Sequence, residues 1–161
     1  WFNRDSESLA QVCTFSTCNG SIRKSTFLRV NGFDENYSGN SYGDDYDLIL
    51  RLNKLGYTGI YVPSIWLIHL RSPMGGLRMS DIRTKRINYI KTFSGFWLFI
   101  LRHSTPSMFF HLLYHYVFRR TIFLKINLKR PWRQLFIVPC LILGFFRSLW
   151  LLWRGPISTS L

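Results

Sequence analysis

All eight acidic residues of this 161-residue chain fall within its first 81 positions, and from Ile82 onward thirteen Lys and Arg stand without one carboxylate. The first part sets eight Lys and Arg against those eight acids, so the net charge of +13 belongs entirely to the second part. A basic segment with no opposite charge of its own seeks an extended anion, either nucleic acid or the anionic leaflet of a membrane. Apolar content separates the two. Phe96 to Leu101, Met108 to Phe118 and Leu135 to Trp153 are dense in Phe, Trp, Tyr, Leu and Ile, whereas nucleic-acid binders keep their cations in polar surroundings with a few stacking aromatics. The composition predicts an anionic membrane surface as partner and no nucleic acid.

The length accommodates one core with an appendage more readily than two independent domains. Cys13, Cys18 and Cys140 are an odd set without CxxC spacing, which points to small buried residues in a reducing compartment and away from a disulfide framework. The chain opens on Trp1 and carries no signal peptide, so the sequence predicts a fragment of a longer protein.

Along the first part, Gln11 to Cys18 alternates as a strand does, Ser25 can cap a short helix through Val30, and Asn31-Gly32 supplies a left-handed stop. A loop rich in Asn, Ser, Gly and Tyr runs from Asp34 to Gly43, of the kind that shapes a site more often than it builds core. Gly43-Asp44-Asp45-Tyr46-Asp47 then opens the best helix in the chain, with Asp44 as expected cap, Leu48, Leu50, Leu52 and Leu55 as its apolar positions and Gly56 as its stop. Two β runs, Thr58 to Val62 and Ile65 to His69, are parted by Pro63. The second part reads as helices, with starts at Ser80, at Ser104-Thr105-Pro106 and at Pro131. No clean apolar span of the roughly 20 residues a transmembrane helix requires is expected. The best candidate, Leu135 to Trp153, is interrupted by Pro139 and Arg147 and reads as an interfacial helix, a single membrane span being the alternative.

Chemistry concentrates at Asp44, Asp45 and Asp47. One or two acids suffice to cap a helix and meet its dipole, so the third is surplus. Adjacent carboxylates push one pKa up while the dipole pulls it down, an environment that can tune a general base. Arg51, one turn beyond Asp47, is placed to pair with it. His111 and His115, four apart, have a spacing that zinc sites use, but with aromatics around them and no third ligand they read as packing residues.

Taken in order, Asn19-Gly20-Ser21-Ile22-Arg23-Lys24-Ser25, Val30-Asn31-Gly32-Phe33-Asp34-Glu35, Gly43-Asp44-Asp45-Tyr46-Asp47-Leu48 with Arg51-Leu52, Gly56-Tyr57, Tyr61-Val62-Pro63 and His69 resemble the second half of the family 2 glycosyltransferase domain over about seventy residues. The resemblance implies an α/β fold of the GT-A type and an inverting displacement of a nucleotide diphosphate from an activated sugar by an acceptor hydroxyl. It implies Asp45 as the general base and Asp44, where Glu is more usual, as an acceptor contact. His69 stands where the family often has a ligand for a divalent cation, Mn²⁺ or Mg²⁺, on the donor diphosphate. The partner Asp-x-Asp motif does not precede Asn19. Arg71, Gly75, Gly76 and Arg78 join fixed donors to backbone that can approach phosphate, and are expected to close on the donor diphosphate.

The expected architecture is thus a partial GT-A domain over residues 1–79 and a basic, aromatic, helical membrane-associated tail over residues 80–161. Its partners would be a nucleotide-sugar donor and a glycan or lipid-linked acceptor, and its place the cytoplasmic side of the cell membrane. A non-catalytic membrane-anchoring or partner-binding module is the alternative.

Overall fold

The computed structural model of the chain describes residues 8–12, 19–68, 82–122, 132 and 134–157. Strand β1 (Ala10–Val12) pairs antiparallel with β2 (Gly59–Tyr61), Ala10 opposite Tyr61 and Val12 opposite Gly59. Helices α1 (Lys24–Arg29) and α2 (Asp44–Lys54) lie between them in sequence. Val30, Leu48 and Leu52 form their common core, closed by Phe27, Phe33 and Tyr57.

Several local signals act one or two residues from where the sequence places them. Helix α1 starts after Arg23, whose side chain caps nothing, so the expected cap Ser25 sits within the helix. Its end does fall at Asn31 and Gly32, with φ of 60° and 62°. Residues 65–68, expected as a strand, carry no regular structure. Pro63 cannot donate to a ladder, and the turn in which Ile65 N donates to Val62 O at 3.1 Å bends the chain away from β2.

The described residues of the second part are mainly helical. They comprise α3 (Ile82–His103), α4 (Pro106–Leu112) continued by a π-helical stretch (Leu113–Ile122), and α5 (Gln134–Arg154). Thr105 caps α4, its side chain accepting from Met108 N at 3.4 Å, with Pro106 at the first helical position. Against the expectation of no clean span, α5 over Leu135–Arg154 is long and apolar enough, by length and composition, to cross a membrane.

Helix α3 is the centre of the molecule because it is used on two opposite faces. On one, Asn88, Thr92, Gly95, Phe99, Arg102 and His103 meet the 34–43 loop and α2. On the other, Phe93, Ser94, Trp97 and Leu98 meet α5. At about 100° per residue these sets lie roughly opposite each other, and the result is three layers: loop with α2, then α3, then α5. Loop 34–43, expected to stay out of the core, contributes the buried Asp34, Asn36 and Tyr37. Its polar groups can be buried because α3 and the residue after α5 satisfy them: Arg102 of α3 donates to Asp34 and Asn36 Nδ2 donates to Gly155 O at 2.8 Å.

Candidate active site

The three acids open α2, and its start is set by glycine. Gly43 takes φ 99°, a conformation that costs L side chains, and a Cβ there would lie 3.2 Å from both Phe99 Cβ and Tyr37 Cε1. The helix thus begins without a side-chain cap, and Asp44, expected to be that cap, is its first residue. Asp44 Oδ1 instead accepts from Asp45 N at 2.7 Å. Burial, together with the charge of neighbouring Asp45, raises the Asp44 pKa to about 6, against the opposing pull of the backbone hydrogen bonds. Asp45 is half-buried beside it.

Asp47 has a different occupation. Its carboxylate is buried and receives Arg51 Nε on Oδ2 at 2.8 Å, His103 on Oδ1 at 2.7 Å and the Tyr37 hydroxyl on Oδ1 at 3.3 Å. Burial pushes its pKa up, but the His103 hydrogen bond and then the charge and hydrogen bond of Arg51 outweigh it, and the net direction is down. Asp47 is therefore ionised at neutral pH, which makes His103 Nε2 the donor. Tyr37 responds in the opposite sense, its pKa raised by burial and by the Asp47 charge. Arg51 also donates to Val30 O, tying α2 to the end of α1.

A second buried acid stands nearby. Asp34 Oδ1 accepts from Asn36 N at 2.9 Å and Ile157 N at 3.1 Å, and Oδ2 pairs with Arg102. Arg102 and His103 end α3, so two side chains of the basic second part pair with two buried acids of the first. Sequence reading did not single out Tyr37, Asp34, Arg102 or His103. The signal available was the charge asymmetry itself, since a segment with no acids can satisfy the buried acids of another.

The structure places Asp44 and Asp45 side by side on the first turn of α2. His69, Arg71, Gly75, Gly76 and Arg78 lie outside the described residues, as do Cys13 and Cys18, while Cys140 is buried on α5. Among the described residues no group of three or more His, Cys, Asp or Glu could hold a metal ion. His111 and His115 lie with ring centroids 4.4 Å apart and planes tilted by 45°.

Residues 2–153 match the family described as "Glycosyl transferase family group 2". The chain is 42% identical over 66 residues to "Rhamnosyltransferase WbbL" of Escherichia coli (strain K12), covering 39% of this chain and 24% of that protein. It is 42% identical over 55 residues to "N-acetylglucosaminyl-diphospho-decaprenol L-rhamnosyltransferase" of Mycobacterium tuberculosis (strain CDC 1551 / Oshkosh), covering 34% of this chain and 17% of that protein. The matched stretch thus spans a quarter or less of these relatives' length. No solved structure matches the chain.

Proposed function

The chain belongs to glycosyl transferase family group 2, and from that premise we propose that it forms the acceptor side of an inverting GT-A site. The reaction moves a sugar from a nucleotide-diphosphate donor to an acceptor hydroxyl. The observation that carries this reading is the division of labour among the three acids of the first helical turn, Asp44, Asp45 and Asp47. Asp47 is consumed by His103, Arg51 and Tyr37, whereas Asp44 and Asp45 sit half-buried at the helix start with one of them held near pKa 6. Side-chain capping does not account for them, because the N-cap position is Gly43 and no carboxylate caps the helix.

In this reading Asp45 accepts the acceptor hydroxyl's proton as that oxygen attacks the anomeric carbon. The bond from that carbon to the diphosphate breaks on the opposite face, the nucleotide diphosphate leaves with the electron pair, and the configuration inverts. Asp44 orients the acceptor. Arg71, Gly75, Gly76 and Arg78 close on the donor diphosphate. The described residues do not by themselves make a cation site, so a divalent cation, Mn²⁺ or Mg²⁺, would depend on His69 and residues outside them.

The relatives' names support a deoxyhexosyl donor such as a rhamnosyl nucleotide and, for one of them, a lipid-linked acceptor. With the acid-free second part this fits assembly of a surface polysaccharide at the cytoplasmic face of the membrane. The test is turnover of a panel of nucleotide sugars by the full-length protein in native membranes, wild type against Asp45→Asn. Loss of a general base predicts a fall of about 10²-fold or more with donor binding retained, and full activity of the variant would return the acids to a structural role.

A further inference from the structure

Helix α5 is apolar on its outer face as well as its inner one. Its inner face, Ile137, Cys140, Leu141, Gly144, Ser148 and Leu151, is buried against the rest of the chain. Its outer face carries Leu135, Ile142, Leu143, Phe146, Trp150 and Trp153, with Leu135 81%, Phe146 62% and Trp153 85% exposed. The one cation within the stripe's length, Arg147, donates to Ser94 of α3. At the helix end Arg154 lies over the Trp150 ring, 5.3 Å from its centroid.

We propose that this outer face lies flat on an anionic bilayer, with α5 in the plane of the leaflet and not across it. The proposal rests on the membrane reading above and deepens it. An apolar stripe ending in a Trp–Arg pair, within a segment of thirteen cations and no acids, matches a headgroup boundary that is apolar beneath and negative above. A spanning α5 would have to leave α3 or take it along. Gly144 lets the two helices touch so closely that a Cβ there would lie 2.8 Å from Phe93 Cβ and 2.9 Å from Ser94 N, and α3's opposite face holds the Asp34–Arg102 and Asp47–His103 pairs. Neither pair belongs in hydrocarbon. The stripe also faces away from the 34–43 loop and α2, so a protein segment completing the site on the α2 side leaves it uncovered.

The layer order gives this placement a consequence for the substrate. With interhelical distances of 8–10 Å, two steps put the Asp44–Asp45 turn roughly 16–20 Å above the axis of α5. The hydroxyl it serves must stand that far from the leaflet, as one borne on a diphosphate-and-sugar spacer does and one at the headgroup itself does not.

The test uses the full-length protein, phosphatidylcholine vesicles with and without phosphatidylglycerol, and lipids brominated at shallow or deep acyl positions. Binding to the anionic vesicles, with Trp fluorescence quenched by shallow bromines, quenching reduced in Trp153→Phe, and release from membranes by alkaline carbonate, is the expected result. Phe146→Asp with Trp153→Asp should weaken vesicle binding about tenfold or more while leaving the thermal melt and transfer to a water-soluble acceptor unchanged. Quenching by deep bromines with resistance to carbonate would overturn the in-plane placement. Transfer to a soluble acceptor without any vesicle binding would overturn the membrane reading and spare the glycosyl-transfer one. Concentration-dependent dimers that lose their affinity for each other in the same double variant would assign the face to a second copy.

Discussion

Asp44 shows how a residue can be legible in type and misplaced in role. Its sequence context, an acid before an apolar helix with another acid three residues on, is that of a cap. Gly43 takes the position outside the helix because its left-handed φ turns the loop tightly against Phe99 and Tyr37, and that steric demand is not written in the spacing of the acids. The shift matters chemically, since a carboxyl displaced from capping is left partly desolvated beside Asp45. The folded pKa, about 6, lies above the ordinary 3.8. Protonated Asp44 therefore contributes stability that is fully present below pH 3.8 and lost as pH rises through about 6. Asp44→Asn should flatten that dependence and raise stability at pH 7 by about 1 kcal/mol, allowing for solvent screening of a half-exposed group. A chemical-denaturation series from pH 4 to 8 measures it. The same substitution should remove an inflection near pH 6 from the kcat/KM profile of the full-length protein, and an unchanged inflection would assign it to another group.

At the scale of elements, periodicity and breakers carried most of what could be read. The left-handed stops at Asn31-Gly32 and Gly56 and the Thr105-Pro106 start are local, and the structure has them where the sequence puts them. What periodicity could not show is which helices share a face. The contact of α3 with α5 depends on Gly144, a residue that reads in the sequence only as a weak point in an apolar helix. Its value lies in the missing Cβ. Gly144→Ala gains about 1 kcal/mol of intrinsic helix preference, but the new methyl meets Phe93 Cβ at 2.8 Å and Ser94 N, a backbone atom, at 2.9 Å. Overpacking of this kind costs about 1–3 kcal/mol, and since backbone cannot rotate aside, the strain wins. The variant should melt at lower temperature than wild type. A melting temperature at or above wild type would mean the helices part without cost, leaving α5 free to separate from α3 and span.

Across the whole molecule, the charge asymmetry that opens the sequence was read as pointing outward, and the use of it that the fold displays is internal: Arg102 and His103 reach back 68 and 56 residues to Asp34 and Asp47, separations over which no pattern of spacing carries information. These pairs cross the expected boundary between residues 79 and 80, and they make the helical part a support for the turn that bears Asp44 and Asp45. His103→Ala would leave Asp47 with Arg51 and Tyr37 but short of one donor in a buried site, and losing one hydrogen bond to a buried carboxylate costs about 1–3 kcal/mol. His103→Gln, whose amide can donate from a similar reach, should recover part of that loss. Because Asp47 orients the first turn of α2, the Ala variant should also lower kcat more than it raises KM in whatever fraction stays folded, and the Gln variant should restore kcat in step with stability. Denaturation and steady-state kinetics on the same full-length preparations test both. If His103→Ala left stability and kcat untouched, the two parts would be independent neighbours, and the boundary at 79 and 80 would divide the function as well as the sequence.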